Sequence, residues 1–364
     1  MRIAVNALNI TPTRAGVGNY GVHVIEQLQT LSSPHSFDVW INQSVKHMFE
    51  DSSKMRFLTA GNFCTSKKRL SYELTVLGKQ LDQGGYDLIH FLDYVTPLRP
   101  LRTPYAVTVH DVSFLVNREY FTAGMRIVKK LLLPVSCRRA AGIITVSQFT
   151  KEELLRYLKV PEENVFPILL GADQPLKQAK GGKPCVLCVG TVEPRKNWIT
   201  GIQAMELLWE KDPSFQLPLV IAGKKGWRYE PVLKYASCSK FRERIQFVGY
   251  CSELELAGWY QNAAAFLFPS YYEGFGLPPL EAMSYGVPVV ASHTSALPEV
   301  LGDAAVFCEP DSPEQFAQGL WRAMGPERDK LVNAGRKRAA ALSWSRMGLE
   351  LLHCYQCIAE KGAG

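Results

Sequence analysis

The sequence lacks the features of membrane-spanning, repetitive and disordered proteins. No stretch reaches the roughly 18 apolar residues that a membrane-spanning helix needs, and the N-terminus MRIAVNALNI has no basic region followed by a long apolar core. There is no low-complexity run and no repeat of fixed period. These absences predict an ordinary globular protein that stays in the cytoplasm.

Signals for metal, disulfide or nucleic-acid chemistry are also weak. The nine cysteines are scattered singly or within apolar segments, which predicts reduced, buried thiols rather than a disulfide framework. The pairs Cys185/Cys188 and Cys354/Cys357 fall in an apolar strand and a helical pattern, so we interpret them as reduced, buried thiols rather than a zinc site. The net charge of +7 favours anionic partners. Without a basic run interleaved with aromatic residues, however, nucleic acid is not an expected partner.

Short apolar runs alternate with longer helical patterns along the whole chain, which predicts α/β architecture with parallel sheets. A segment rich in Gly, Pro, Lys and Gln, residues 171–183, interrupts this alternation and is typical of a linker. We therefore expect a Rossmann-like domain over 1–170, a second over 184–343, and a C-terminal helix over 344–364 that packs back on the first. Ligands would bind outside the carboxyl ends of the strands, in a central cleft. The predicted strands are Arg2–Asn9, Leu88–Phe91, Tyr105–Val109, Gly142–Val146, Val165–Ile168, Cys185–Gly190, Leu217–Ala222, Ile245–Val248, Ala265–Phe268, Val287–Ala291 and Ala305–Cys308.

The most informative segment follows the strand that ends at Phe268. A glycine-bearing loop leads into Pro278 and Pro279, which suit the first turn of a helix. The backbone N–H groups of Phe275, Gly276 and Leu277 would then point outward from a helix N-terminus, where a phosphate or diphosphate binds well. Two carboxylates bracket this turn: Glu273 in the loop and Glu281, expected in the first helical turn.

This segment resembles the E-x7-E signature of the large retaining glycosyltransferase family with the two-domain GT-B fold, and the resemblance covers nearly the whole chain. It implies that Glu273 contacts hydroxyls of the donor sugar near the reacting carbon and that Glu281 binds the nucleotide ribose. The D-x-D metal motif of the other glycosyltransferase architecture is absent, so we expect metal independence and no cofactor. The donor would be a GDP- or UDP-sugar.

A basic segment follows the first strand of the second domain. Arg195 and Lys196 can neutralise the charge that develops on a departing nucleoside diphosphate. They resemble the family's diphosphate-binding residues, although many relatives carry an arginine where this chain has Thr191. Further along, Val248 and Tyr250 at the end of a strand resemble the site that reads the nucleobase.

In the first half, the resemblance assigns roles to two strand-end segments. His110 follows the strand Tyr105–Val109, where the family has a histidine that contacts the donor sugar; Asp111 is a weaker candidate for acceptor contact. Gly16 and Gly18 belong to a formal G-x-G-x-x-G at Gly16, Gly18 and Gly21, but the expected acidic residue does not end the next strand, which disfavours a nicotinamide cofactor. We interpret this loop as facing the donor phosphates or the acceptor, with Tyr20 as a weak acceptor contact.

One basic helical pattern is a candidate membrane contact. Arg126, Lys129, Lys130, Arg138 and Arg139 flank apolar residues at roughly helical spacing. This pattern fits either a helix with a solvated basic face or a surface that presses on an anionic membrane.

The resemblance therefore implies a retaining hexosyltransferase of bacterial polysaccharide or glycolipid synthesis, and the segment EPRKN, which is similar to mannosyltransferase-like members, favours mannose. Its acceptor would be a saccharide or lipid-linked hydroxyl at the inner face of the membrane. The alternatives are a nucleotide-sugar epimerase or hydrolase of the same fold and a non-catalytic sugar-nucleotide-binding protein.

Overall fold

The computed structural model describes residues 1–13 and 16–362, so Arg14 and Ala15 of the glycine loop lie outside the described residues. The chain forms two compact units. The first contains Met1–Val116, Ala123–Leu170 and the C-terminal segment that begins at Trp344; the second contains Asn117–Thr122 and Gly171–Ser343. The predicted boundaries place Asn117–Thr122 in the first domain, whereas these six residues pack in the second unit.

The first unit is built on a seven-stranded parallel sheet. Its strands are β1 Arg2–Asn6, β2 Ser36–Ile41, β3 Met55–Thr59, β4 Leu88–Phe91, β5 Tyr105–Val109, β6 Gly142–Thr145 and β7 Val165–Pro167. The helices of this unit that precede the second unit in sequence are α1 Val17–Thr30, α2 Ser66–Thr75, α3 Leu77–Gln83, α4 Ser113–Val116, α5 Ala123–Arg139 and α6 Gln148–Tyr157. The strand order is β3-β2-β1-β4-β5-β6-β7. The winding direction therefore reverses between β1 and β4, and this is where ligands bind in such sheets.

The second unit has a six-stranded parallel sheet in the order β10-β9-β8-β11-β12-β13. Its strands are β8 Cys185–Val189, β9 Leu219–Ala222, β10 Ile245–Gly249, β11 Ala263–Phe268, β12 Val289–Ser292 and β13 Ala305–Cys308. Its helices are α7 Trp198–Lys211, α8 Glu230–Cys238, α9 Glu253–Asn262, α10 Leu277–Ser284, α11 Leu297–Leu301, α12 Pro313–Met324 and α13 Arg328–Ala341. Here the direction reverses between β8 and β11. The buried apolar faces of these strands are those expected of a parallel sheet covered by helices on both sides.

The last helix, α14 Trp344–Gly362, packs in the first unit. Tyr355 is fully buried, and its hydroxyl lies 2.7 Å from Nδ1 of His90 on β4. Nε2 of His90 lies 2.9 Å from the Thr108 hydroxyl on β5. Burial lowers the pKa of His90 to about 3, so this ring is a neutral core residue that ties α14 to the sheet.

Two predictions about strands need correction. The first strand ends at Asn6 rather than Asn9, because the Asn6 side chain accepts a hydrogen bond from the Leu8 backbone N–H and turns the chain. The predicted strand bounds include neither β2 nor β3, although residues 37–41 are taken as the strand that follows the glycine loop. β2 is buried yet contains Asp38, whose charge is compensated by Arg2 at 2.6 Å and Arg56 at 2.8 Å. A buried carboxylate interrupts the apolar run by which such strands are recognised.

All nine cysteines are free, but Cys64 and Cys238 are exposed, contrary to the expectation of burial. Residues 171–183, the expected linker, lie against the second unit: Lys180 N–H donates to the Leu254 carbonyl and Leu176 N–H to the Tyr285 hydroxyl. Among the described helices, none combines the length and the apolar character needed to cross a bilayer.

Candidate functional site

The second unit holds a buried ion cluster at the point where its strand order reverses. After β8, a short turn over Pro194–Lys196 carries two cations toward the loop that follows β11. The Lys196 ammonium lies 2.6 Å from Oε1 of Glu273, and Nη1 of Arg195 lies 2.9 Å from Oε2. All three side chains are largely buried. The structure therefore brings together three residues that the sequence predicts for the donor site.

Arg195 is held in one orientation by several acceptors. Its Nε and Nη2 both donate to Oε1 of Glu193, at 3.1 and 2.9 Å, and its Nη1 also donates to the Tyr272 carbonyl at 2.6 Å. Its own carbonyl accepts from the Tyr271 N–H. A guanidinium fixed in this way keeps its charge in place without reorganisation, which is what a stabiliser of a developing anion requires.

The electrostatics favour a charged carboxylate at Glu273. Burial is the largest single influence and raises the pKa of Glu273, but Arg195 and Lys196 together outweigh it, so the pKa lies below its ordinary value. Burial, with the nearby charge of Arg195, lowers the pKa of Lys196 below its ordinary value even though Glu273 raises it. Glu273 is thus an anion, able to accept hydrogen bonds from ligand hydroxyls.

The backbone after Glu273 leads into α10. The Glu273 N–H donates to the Ser295 hydroxyl at 2.9 Å, which fixes the start of the loop. Gly276 is the N-cap of α10 with φ of 104°, and Phe275 and Leu277 on either side are buried. The first N–H groups of a helix have no intrahelical acceptor. The predicted geometry of this turn is therefore present, as a left-handed glycine followed by a helix N-terminus.

Replacing Gly276 by alanine should weaken nucleoside diphosphate binding at least tenfold. A Cβ at this position would meet Cδ2 of Leu297 at 2.7 Å and would hold an unfavourable positive φ. Isothermal titration with GDP and UDP measures the change. Gly302→Ala is the matched control, because its φ is also positive while the added Cβ comes no closer than 3.9 Å to Arg338. Equal affinities in the two variants would contradict the assignment of this turn.

Glu281 lies one turn deeper than the sequence predicts. It is the fifth residue of α10, not a first-turn residue, because the helix begins at Leu277. Its Oε2 accepts a hydrogen bond of 2.8 Å from the Tyr260 hydroxyl on α9. Tyr260 is buried and therefore fixes the Glu281 carboxylate. Val248 and Tyr250, the predicted nucleobase contacts, lie at the end of β10, and Tyr250 is exposed.

The first-unit candidates lie near the carboxyl end of β5. Nε2 of His110 lies 2.9 Å from the Leu92 carbonyl, and the ring meets Tyr20 edge-on at 4.9 Å. Tyr20 is buried and its hydroxyl lies 3.1 Å from that of Thr108, so it supports His110 from within the core. Asp111 accepts hydrogen bonds from the backbone and hydroxyl of Ser113 in a local turn.

Gly16 and Gly18 are at the start of α1. Gly16 is the N-cap, with a positive φ of 27°, and Gly18 is buried in the first turn. A Cβ on Gly16 would meet no described atom within 4 Å. Space is therefore open beside this helix start.

Sequence reasoning missed three residues that shape the donor cluster. Glu193 lies only two residues before Arg195, so the acidic residue next to the basic pair in EPRKN could have identified it. Ser295 and Tyr260 left no local signal, because they reach Glu273 and Glu281 from distant segments. Among the described residues, no group of three or more His, Cys, Asp or Glu side chains is placed to hold a metal ion.

Two family models match adjoining segments of the chain. The family model described as glycosyl transferases group 1 matches residues 173–338, and the one described as glycosyltransferase family 4 matches residues 16–174. The O-antigen chain mannosyltransferase B of Escherichia coli is 30% identical over 275 residues, which cover 71% of this chain and 72% of that protein.

Solved structures agree in architecture. Sucrose-phosphate synthase from Thermosynechococcus elongatus superposes with a TM-score of 0.80 at 20% identity, covering 100% of both chains. HepE from Anabaena, solved in complex with UDP and glucose, gives a TM-score of 0.70 at 15% identity over 98% of this chain and 99% of that one. At such identities the likeness shows a shared fold.

Proposed function

This chain belongs to the group 1 glycosyltransferases and has their GT-B fold, and we propose that it transfers a hexose, with mannose favoured, from a GDP- or UDP-sugar. The acceptor is a saccharide or lipid-linked hydroxyl in bacterial polysaccharide or glycolipid synthesis. The configuration of the donor is retained. The observation that carries the proposal is the cluster of Arg195, Lys196 and Glu273 beside the N-terminus of α10. The mannosyltransferase relative favours mannose.

The chemistry follows from the charges of this cluster. As the glycosidic bond breaks, negative charge grows on the departing diphosphate, and Arg195, Lys196 and the first N–H groups of α10 stabilise it. The Glu273 carboxylate accepts hydrogen bonds from the donor sugar, and Glu281 accepts them from the ribose. By the family resemblance, His110 is a further candidate for contact with the donor sugar. The acceptor hydroxyl attacks the face from which the diphosphate leaves, and its proton passes to a departing phosphate oxygen.

A thermal-shift panel of GDP, UDP, GDP-mannose and UDP-glucose tests the donor site. A ligand that binds only the folded protein raises the melting temperature by mass action. We expect one nucleotide to stabilise the wild type and Glu281→Ala to lose that shift. Glu230→Ala, an exposed first-turn glutamate of α8, should keep it. Folded wild-type protein that responds to no nucleotide would sink the proposal.

Product analysis separates the alternatives. Incubation with GDP-mannose and a panel of glycoside acceptors should give a new α-linked glycoside by NMR. Free nucleotide without a glycoside product favours a hydrolase, a changed sugar in the recovered donor favours an epimerase, and binding without turnover favours a non-catalytic protein.

We also propose that α5 attaches the protein to an anionic membrane surface. Ile127 and Leu131 on this helix are 60% and 66% exposed, and Val128 beside them is also exposed. Lys130 and Arg126 adjoin these apolar side chains in sequence. An exposed apolar face combined with basic residues is the pattern of a helix that lies in the lipid interface.

Sedimentation with vesicles tests this surface. Leu131→Ser should lower binding to phosphatidylglycerol vesicles several-fold, because it removes apolar area from the interface. Leu349→Ser is the matched control, since Leu349 on α14 is 56% exposed in the same unit. Equal losses in both variants, or equal binding to purely zwitterionic vesicles, would refute the proposed role of α5.

A further inference from the structure

The first sheet has polar residues at its own reversal point, between β1 and β4. Asn6 is the last residue of β1, and Asp93 lies two residues beyond the end of β4. In the second sheet, the donor cluster occupies the equivalent place between β8 and β11. Because ligands of such sheets bind where the winding direction reverses, the first unit has a candidate ligand position of its own.

Glu73 of α2 reaches this position although it is only 3% exposed. Its Oε1 accepts a hydrogen bond of 2.9 Å from the Asn6 side chain. Its Oε2 is buried and receives no hydrogen bond from the described residues; Nε of Arg69 lies 3.5 Å away. A buried carboxyl oxygen that receives no hydrogen bond is costly, and a ligand hydroxyl could supply the hydrogen bond that the ion pair with Arg69 does not.

Asn9 repeats this feature in the loop that follows β1. Both its Oδ1 and its Nδ2 are buried, and neither has a hydrogen-bond partner among the described residues. Asn6 at the end of β1 thus holds Glu73, whose Oε2 receives no hydrogen bond, and the loop three residues further on carries the unsatisfied amide of Asn9. Neither side chain belongs to the donor site.

We propose that Asn6, Asn9 and Glu73 form a subsite that binds hydroxyl groups of a neutral saccharide acceptor. The proposal rests on the proposed glycosyl transfer and names where the acceptor is recognised. A sugar hydroxyl both donates and accepts, so it matches the unsatisfied atoms of both side chains. A sugar hydroxyl can pair with Oε2 of Glu73 whether the carboxyl is charged or neutral, because it donates to a carboxylate and accepts from a carboxyl O–H.

Saturation-transfer NMR with methyl α-D-mannoside, methyl α-D-galactoside and methyl β-N-acetylglucosaminide tests the subsite on the full chain. The wild type should bind at least one of these probes. Glu73→Met should weaken that binding at least tenfold, whereas Glu73→Gln, which keeps a hydrogen-bonding group, should stay within about threefold of the wild type. Glu153→Met is the matched control, because Glu153 is a buried glutamate of the first unit paired with Arg156 at 2.8 Å.

Nucleotide titrations on the same preparations separate this inference from the proposed function. Unchanged GDP and UDP affinity in Glu73→Met, together with lost glycoside binding, supports the subsite. It is overturned if no glycoside binds the wild type, or if Glu73→Met and Glu153→Met weaken binding equally. Glycoside binding that depends on Glu73 in a protein that binds no nucleotide would instead count against the proposed transfer alone.

Discussion

Replacing Lys196 by methionine is expected to lower kcat for hexosyl transfer by roughly 100- to 1000-fold, the usual cost of losing one preorganised group that stabilises a transition-state charge. Lys196 is buried, and its ammonium lies 2.6 Å from Glu273 and 4.7 Å from the centre of the Phe268 ring. In this dry position a fixed positive charge acts with little screening by solvent. Steady-state kinetics at saturating donor measure the effect, since kcat then reports the chemical step rather than binding.

A surface lysine with the same ion-pair geometry provides the control. Lys240 lies 2.6 Å from Glu210, but their side chains are 67% and 47% exposed. Exposed ion pairs contribute little, so Lys240→Met should leave kcat within about twofold of the wild type. If Lys196→Met retained more than a tenth of wild-type activity, the leaving diphosphate would have to be stabilised elsewhere.

The candidate donor residues could be identified from the sequence because they fall in two short segments. Glu273, Gly276 and Glu281 occur within nine residues of one loop and helix, and Arg195 and Lys196 are adjacent. Residues that lie this close together in the sequence form a motif that can be recognised without a structure. The hydrogen bond from the Tyr260 hydroxyl to Glu281 could not be predicted from the sequence. The two residues are 21 positions apart, and only folding brings α9 beside α10.

The strands and the buried carboxylate of the first unit were harder to predict from the sequence, because they leave no local pattern. β2 carries a buried carboxylate, and β3 is a short edge strand that includes Arg56, so neither is a continuous apolar run. Glu73 is in a helix made mostly of polar and charged residues, where a glutamate is normally solvated. Its burial depends on Asn6, 67 residues away.

Nothing in the sequence indicated that the segment Asn117–Thr122 belongs to the second unit. It leaves the first unit between α4 and α5 and packs in the second. The Trp227 indole N–H donates to the Tyr120 carbonyl, and the Phe121 ring stacks on Trp227. Tyr120 also stacks on Tyr271, whose N–H donates to the Arg195 carbonyl. Long-range aromatic contacts therefore connect this segment to the backbone of the donor cluster.

The stability of the first unit should fall as pH rises from about 4.5 to about 7, and Glu73→Gln should abolish this trend. Burial raises the pKa of Glu73 from 4.5 to about 7; nearby Asp93 adds to the effect, while Arg69 and Asn6 oppose it. The folded state thus binds the proton more tightly than the unfolded state, so stabilisation is complete below pH 4.5 and is lost as pH passes 7. The full loss is roughly 3 kcal/mol, at about 1.4 kcal/mol per pKa unit.

Melting temperatures of the wild type and Glu73→Gln between about pH 3 and pH 8 measure this difference. The variant should gain on the wild type as pH rises, because glutamine stays neutral throughout. Glu255→Gln is a control of opposite sign: hydrogen bonds from Ser252 lower the pKa of Glu255, so its contribution is lost as pH falls below about 4.5. Parallel curves for the wild type and Glu73→Gln above about pH 5 would mean that Glu73 is already ionised at that pH. Arg69 would then hold a charged carboxylate, and the subsite would offer a sugar an anionic acceptor rather than a neutral carboxyl that can also donate.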